Sequence, residues 1–164
     1  AAELLTSDTV TWSSIWFDGE LVVAQTRKRR LWNFGNRTLS GVTGITKVGE
    51  TYSNIIVDRV AEDAILSIDS RPHGIYGVDM TYDKSGFPNP TEINISRFFT
   101  TIYFFTEAGL NMPKIYKDIA LYKKFPCLEK KKNPLPDGLL WLRGMDREPI
   151  LTTEIQIKQL INRV

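Results

Sequence analysis

Asp79, Glu92, Asn94 and Arg97 fall within one short stretch that runs from Gly74 to Thr101. The stretch reads as a hairpin: a strand over 74–82, a turn at Asp83-Lys-Ser-Gly86, and a returning strand over 87–95. Pro88 and Pro90 confine that second strand to a sheet edge or to its early part. Side chains alternate along a strand, so Glu92 and Asn94 share a face. A turn centred on Ser85-Gly86 sets Asp79 opposite Glu92, and a longer turn sets them on a diagonal. In both cases two carboxylates and an amide oxygen converge. Like charges facing each other across a strand pair repel, and a hard cation between them removes the conflict. Mg²⁺ takes such oxygen ligands together with phosphates and waters. No His-rich or Cys-rich cluster competes for a softer metal. Arg97 follows closely, with the planar fork that holds phosphate. The plain alternative is a surface hairpin with solvated acids.

Other elements must position that hairpin. Residues 10–17 and 20–26 are rich in β-branched and aromatic types, and Asp18-Gly19 between them predicts a tight antiparallel hairpin. Trp12 and Trp16 share one face of the first strand, and the second strand runs into Arg27-Lys-Arg-Arg30. Residues 32–49, with four glycines, predict a long functional or mobile loop. From 51 to 68 the period becomes helical, with Val57, Val60, Ala61, Ala64, Ile65 and Ile68 on one stripe. Asp58, Arg59, Glu62 and Asp63 fall to the other side of that helix. A second helix is expected over 98–108, with Phe98, Phe99, Phe104 and Phe105 in the core. A third is expected to open at Pro113 after Asn111 and to run through Tyr122. A short strand at 139–142 and a weaker amphipathic stretch at 153–164 complete the chain. Strands and helices mix without strict alternation, which predicts an α+β fold, mainly an antiparallel sheet flanked by helices.

Composition narrows the class. The 164 residues carry 21 Lys and Arg against 19 Asp and Glu, a net charge of +2, with 42% apolar and 24% charged residues. This suits one globular domain and excludes a disordered or collagen-like chain. It gives no broad basic field for nucleic acid, so Arg27–Arg30 and Lys130–Lys132 read as solvated runs. No apolar run is long enough to span a membrane. Cys127 is the single cysteine, which excludes an internal disulfide and favours a reducing cytoplasm. His73, the single histidine, reads as a loop or cleft-edge residue. The opening Ala1-Ala-Glu-Leu-Leu5 lacks the regions of a signal peptide and does not begin with Met, so a processed chain or an excised piece is expected.

The ordered series Gly77-Val-Asp79, Asp83-x-x-Gly86-x-Pro88, Glu92-Ile-Asn94 and Arg97 resembles the C-terminal lobe of the ATP-grasp superfamily, in its carbamoyl-phosphate-synthetase-like branch. The strand pair after Glu3-Leu-Leu5 resembles the start of that lobe, and Gly41-Val-Thr43 resembles the small loop whose backbone approaches the phosphates. The likeness covers about residues 3–110 and leaves 111–164 as a C-terminal extension. Two departures stand out. Arg97 comes one residue later than in the family's usual Glu-x-Asn-Pro-Arg, and no ribose-holding acid is evident around Thr9–Thr11.

The resemblance implies an ATP-dependent ligase that joins a small carboxylate to an amine, ammonia or a thiol through an acyl-phosphate. Asp79, Glu92 and Asn94 match the positions that hold Mg²⁺ (or Mn²⁺), and Arg97 matches a catalytic, phosphoryl-stabilising arginine. Gly41 and Thr43 would contact phosphate, and Arg27, Arg29 or Arg30 could meet an anionic substrate. ATP is the implied co-substrate. The family's N-terminal lobe and the domain before it are not in this sequence, so the chain is expected to be an inactive half of the site. Self-association is left open. The rival reading is a non-catalytic nucleotide-binding or scaffolding domain that kept the fold.

Overall fold

The computed structural model describes residues 5–34, 37, 44–144 and 147–162. Its centre is a hairpin. β1 (Thr9–Phe17) and β2 (Glu20–Trp32) are joined by Asp18 and Gly19, which have φ of 58° and 90°. Positive φ at both central residues gives the turn a twist that matches the strands. β3 (Thr46–Tyr52), β4 (Gly74–Tyr82), β5 (Pro88–Ile95), β6 (Leu139–Leu142) and β7 (Ile150–Thr153) add to it. They form one antiparallel sheet of order β5-β4-β1-β2-β3-β6-β7. Among the described residues four helices flank it: α1 (Ile55–Ile68), α2 (Tyr103–Glu107), α3 (Met112–Tyr122) and α4 (Glu154–Ile161). The α+β, mainly antiparallel expectation is thus met, and proline-bearing β5 does lie at the edge.

The two faces of the sheet carry separate cores. On the back face, Val10, Trp12, Trp16, Val78 and Met80 pack against Val57, Ala61 and Ile65 of α1. On the front face, Ile15, Val22 and Val23 pack with Phe104, Phe105, Met112, Ile119 and Trp141. The alternation of β1 explains its share: even positions face α1 and odd positions face the front.

Several expected boundaries move, each for a local reason. Residues 46–52 are strand, not loop or helix. Thr51 and Tyr52 pair with Arg27 and Thr26, and Asn54 then caps α1 by accepting from the N–H of Ile56 (2.8 Å) and Val57 (3.3 Å). Ile68 is exposed, whereas Asp58 is buried at 5% exposure. Asp58 sits three and seven residues before Ala61 and Ile65, so it borders the apolar stripe. Its carboxylate accepts from Trp12 Nε1 (2.8 Å) and from Asn133 Nδ2 (3.0 Å). α2 is only Tyr103–Glu107. Phe104 and Phe105 are fully buried, while Phe98 and Phe99 are outside the helix and partly exposed. α3 fits the expected helix, with Asn111 accepting from the Lys114 N–H at 2.9 Å.

The segment after 110 is woven into the sheet. Ala24 N–H donates to Lys131 O and Asn133 N–H to Ala24 O, both at 2.8 Å. Asn133 Oδ1 accepts from the Thr26 N–H at 2.8 Å. Lys132 is not free in solvent, since its Nζ lies 2.6 Å from Glu62. No helix among the described residues is long and apolar enough to cross a membrane.

Candidate functional site

The chemistry-bearing hairpin depends on an irregularity. Its loop is Lys84-Ser85-Gly86, closed by the Asp83 N–H donating to Phe87 O (2.9 Å), with Gly86 at φ 84°. That three-residue loop alone would pair Asp79 with Thr91 and turn Glu92 to the wrong face. A bulge intervenes. Met80 pairs with Pro90 but Asp79 pairs with Glu92, which leaves Thr91 as the extra residue. The expected opposition of Asp79 and Glu92 is therefore present, and Asn94 faces Gly77 on the same side.

A second bulge aims β2. Trp16 pairs with Leu21 and Ile15 with Val23, so Val22 is extra. The parity of every later residue flips. Arg27 and Arg29 turn to the front face, while Lys28 turns back to lie 3.6 Å over the Tyr52 ring. A row of register partners then runs across four strands: Glu92 on β5, Asp79 on β4, Thr11 on β1 and Arg27 on β2.

A cavity of about 210 Å³ opens on this row. Its lining includes Thr11, Arg27, Arg29, Asp79, Asn94 and Arg97. Aromatic and main-chain walls come from Trp32, Phe99 and the segment from Gly44 to Thr46. Among the described residues the charged lining is three arginines and one carboxylate, Asp79.

Asp79 is held from one side. Thr11 Oγ1 donates to its Oδ1 at 2.6 Å, and Arg29 Nη2 forms an ion pair with the same oxygen. Arg97 donates to Asn94 Oδ1 and lies 3.8 Å from Glu92. Both members of that last pair are more than half exposed, so water screens it. Arg27 is different. It is 2% exposed, donates to Thr101 Oγ1 and to Thr11 Oγ1 (3.2 Å), and has no carboxylate partner among the described residues. Its guanidinium carbon lies 4.1 Å from the Phe99 ring centre. Burial foremost, and then the neighbouring charge of Arg29, hold its pKa down to about 9, with Asp79 offsetting part of the shift.

The expected site residues thus divide. Asp79, Asn94, Arg97, Arg27 and Arg29 line one cavity, with Glu92 across from Asp79. Arg30 is not brought there: Glu50 (2.6 and 2.8 Å) and Glu154 (2.6 Å) take its guanidinium and hold its pKa well above the ordinary value. Gly41 and Thr43 lie outside the described residues. His73 accepts from the Asp18 N–H at 3.2 Å and packs beside Phe17, away from the cavity lining. Sequence reasoning missed Thr11, Trp32, Phe99 and Thr101. Thr11 stands where the resemblance predicts a ribose-binding acid, and the register of β1 with β4, which no local sequence signal gives, sets it opposite Asp79.

The donor set suits a hard cation: two carboxylates face each other and an amide oxygen follows on one face. Both close contacts to Asp79 use Oδ1. No group of three or more His, Cys, Asp or Glu gathers among the described residues, so the amide has to complete the set.

No protein-family model and no curated protein matches the sequence. Solved structures do. An L-amino acid ligase from Bacillus licheniformis superposes with a TM-score of 0.57 over 84% of this chain and 35% of its own, at 12% identity. The biotin carboxylase domain of a thermophilic 2-oxoglutarate carboxylase, solved with ADP, superposes with a TM-score of 0.51 over 86% of this chain and 31% of its own, at 8% identity. Both are ATP-grasp enzymes. At such identities the likeness is one of fold. The chain spans about a third of the length of each.

Proposed function

We propose that this chain, which has the fold of part of an ATP-grasp enzyme, is a single domain that supplies the cation-binding half of an ATP site. The whole protein is then an ATP-dependent ligase that joins a small carboxylate to an amine, ammonia or a thiol through an acyl-phosphate. The observation that carries this reading is the bulged register that sets Asp79 opposite Glu92 with Asn94 on the same face.

In this reading Asp79, Glu92 and Asn94 hold Mg²⁺ or Mn²⁺. The ion, when bound, neutralises phosphate charge and supplies the electrostatic part of phosphoryl transfer. The residues of this chain do the rest. Glu92 and Asn94 leave their contacts with Arg97, whose fork is then released toward the transferring phosphoryl group or the acyl-phosphate. Thr11 keeps Asp79 oriented through Oδ1. Arg29 gives up Asp79 and turns its charge to the anionic substrate. Gly41 and Thr43 are, as the resemblance implies, the candidates for phosphate contact. A second, N-terminal lobe closes the nucleotide cleft, so this chain alone binds ATP poorly and does not turn it over.

The rival reading, a nucleotide-binding or scaffolding domain without chemistry, draws on the Arg29–Asp79 ion pair, which already engages one oxygen of the carboxylate. Turnover separates the two. The full-length protein is expected to hydrolyse or transfer the γ-phosphate of ATP only with Mg²⁺ or Mn²⁺, and Glu92→Ala is expected to abolish this. Wild-type turnover in that variant overturns the site, and no turnover with any acceptor in the wild type favours the scaffold.

A further inference from the structure

We infer that Arg27 is a prebuilt anchor for a small oxyanion, a carboxylate or a phosphoryl group, bound on the β1–β2 side of the cavity, two strands from Asp79. The inference deepens the ligase reading. It rests on that reading for the identity of the anion, and on Arg27 itself for the existence of the anchor.

The first ground is charge. A buried arginine that serves only the fold is normally paired with a carboxylate, because an uncompensated buried cation is costly. Among the described residues Arg27 has only neutral oxygens, those of Thr101 and Thr11. Its Nε is buried without a partner among the described residues. Its row neighbours on the sheet are Thr11 and Thr51, neither of them charged. The nearest carboxylate on that row, Asp79, is already engaged by Arg29. Arg29 and Arg97 line the same cavity, so the charge within it is left in excess and positive.

The second ground is preorganisation. A Cβ added at Gly49 would come within 3.1 Å of Arg27 Cδ, so glycine at this position gives the side chain room to lie across β3. Phe99 closes one face of the guanidinium. The hydroxyls of Thr11 and Thr101 fix its orientation. A fork fixed before its ligand arrives loses little freedom on binding. Neighbouring strands are about 4.8 Å apart, so Arg27 and Asp79 stand roughly 10 Å apart at the backbone. At the side chains the two are linked by Thr11 Oγ1, which accepts from Arg27 at 3.2 Å and donates to Asp79 Oδ1 at 2.6 Å, so an oxyanion seated on Arg27 would lie beside a cation held at Asp79. The seat suits the substrate carboxylate or the group transferred to it.

The test follows melting of the chain with inorganic phosphate or acetate, at ionic strength matched with chloride. The wild type is expected to gain about 3–6 °C once the anion reaches ten times its Kd. Arg27→Met is expected to lose this gain and to melt in chloride at or above the wild-type temperature, since it removes an unpaired buried charge. Lys28→Met removes one charge from the back of the same strand and is expected to keep the gain. A shift with phosphate alone identifies a phosphoryl seat, and a shift with acetate identifies a carboxylate seat. If Arg27→Met fails to fold, the Nε–H resonance of Arg27 in the wild type serves instead and is expected to move during either titration. The inference is overturned if neither anion shifts the wild type, if Arg27→Met responds as the wild type does, or if the Nε–H resonance stays fixed. Mn²⁺ binding depends on Asp79, Glu92 and Asn94 and is expected to survive in Arg27→Met. Loss of cation binding with the anion response kept would thus sink the metal reading and leave the anchor.

Discussion

Replacing Glu92 by Gln keeps the shape of the hairpin and removes one of two opposed charges. The effect on the free chain comes from two small terms of opposite sign. Facing like charges on paired strands cost about 0.2–1 kcal/mol, so losing the Asp79–Glu92 repulsion stabilises. Losing the exposed Glu92–Arg97 pair, 3.8 Å apart, destabilises by about 0–1 kcal/mol. Without cation the variant is therefore expected within about 1 kcal/mol of the wild type, which is about 2–4 °C in melting temperature. With cation the two separate. A ligand at ten times its Kd adds about 1.4 kcal/mol to the form that binds it. Thermal or urea melts with MgCl₂, at ionic strength held constant with KCl, are expected to show that increment in the wild type and none in Glu92→Gln. Equal Mg²⁺ stabilisation of both proteins would refute the reasoning. So would a loss of more than about 2 kcal/mol in the free variant, because Glu92 would then be a structural residue.

Two further outcomes follow from buried charges. Asp58→Ala leaves Trp12 Nε1 and Asn133 Nδ2 without their acceptor inside the protein; it is expected to cost about 2–6 kcal/mol in a denaturant titration, and a change under 1 kcal/mol would show that this network does not hold α1 to the sheet. Burial lowers the folded pKa of Arg27 to about 9, so its penalty is fully present below that pH and is relieved as pH rises through it. The stability of the wild type relative to Arg27→Met is therefore expected to rise between about pH 8 and pH 10, and a flat difference would contradict the assignment.

Much of this architecture could be read from the residues. The Asp18-Gly19 turn, the strand over 74–82, the edge position of β5 and the Asn111 cap all follow from local chemistry, and all are present. The opposition of Asp79 and Glu92 was legible too, although the structure reaches it by a different route. A two-residue turn and a three-residue loop with a bulge at Thr91 give the same pairing. The bulge at Val22 was not legible, because nothing in Leu21-Val-Val-Ala24 distinguishes a bulged from a regular apolar strand. Yet it decides that Arg27 and Arg29 face the cavity while Lys28 faces away. Asp58 misleads for another reason. An acid beside an apolar stripe reads as solvated until its partners are known, and Asn133 comes 75 residues later. Arg30 looks equivalent to its neighbours in sequence, but Glu50 and Glu154 claim it from distant parts of the chain.

Electron paramagnetic resonance of Mn²⁺ added to the chain addresses the cation site without requiring turnover or a known substrate. A specific bound signal is expected in the wild type, and it is expected to vanish in Asp79→Asn, in Glu92→Gln and in Asn94→Leu. Identical Mn²⁺ isotherms for the wild type and all three variants would mean that the paired strands hold no ion.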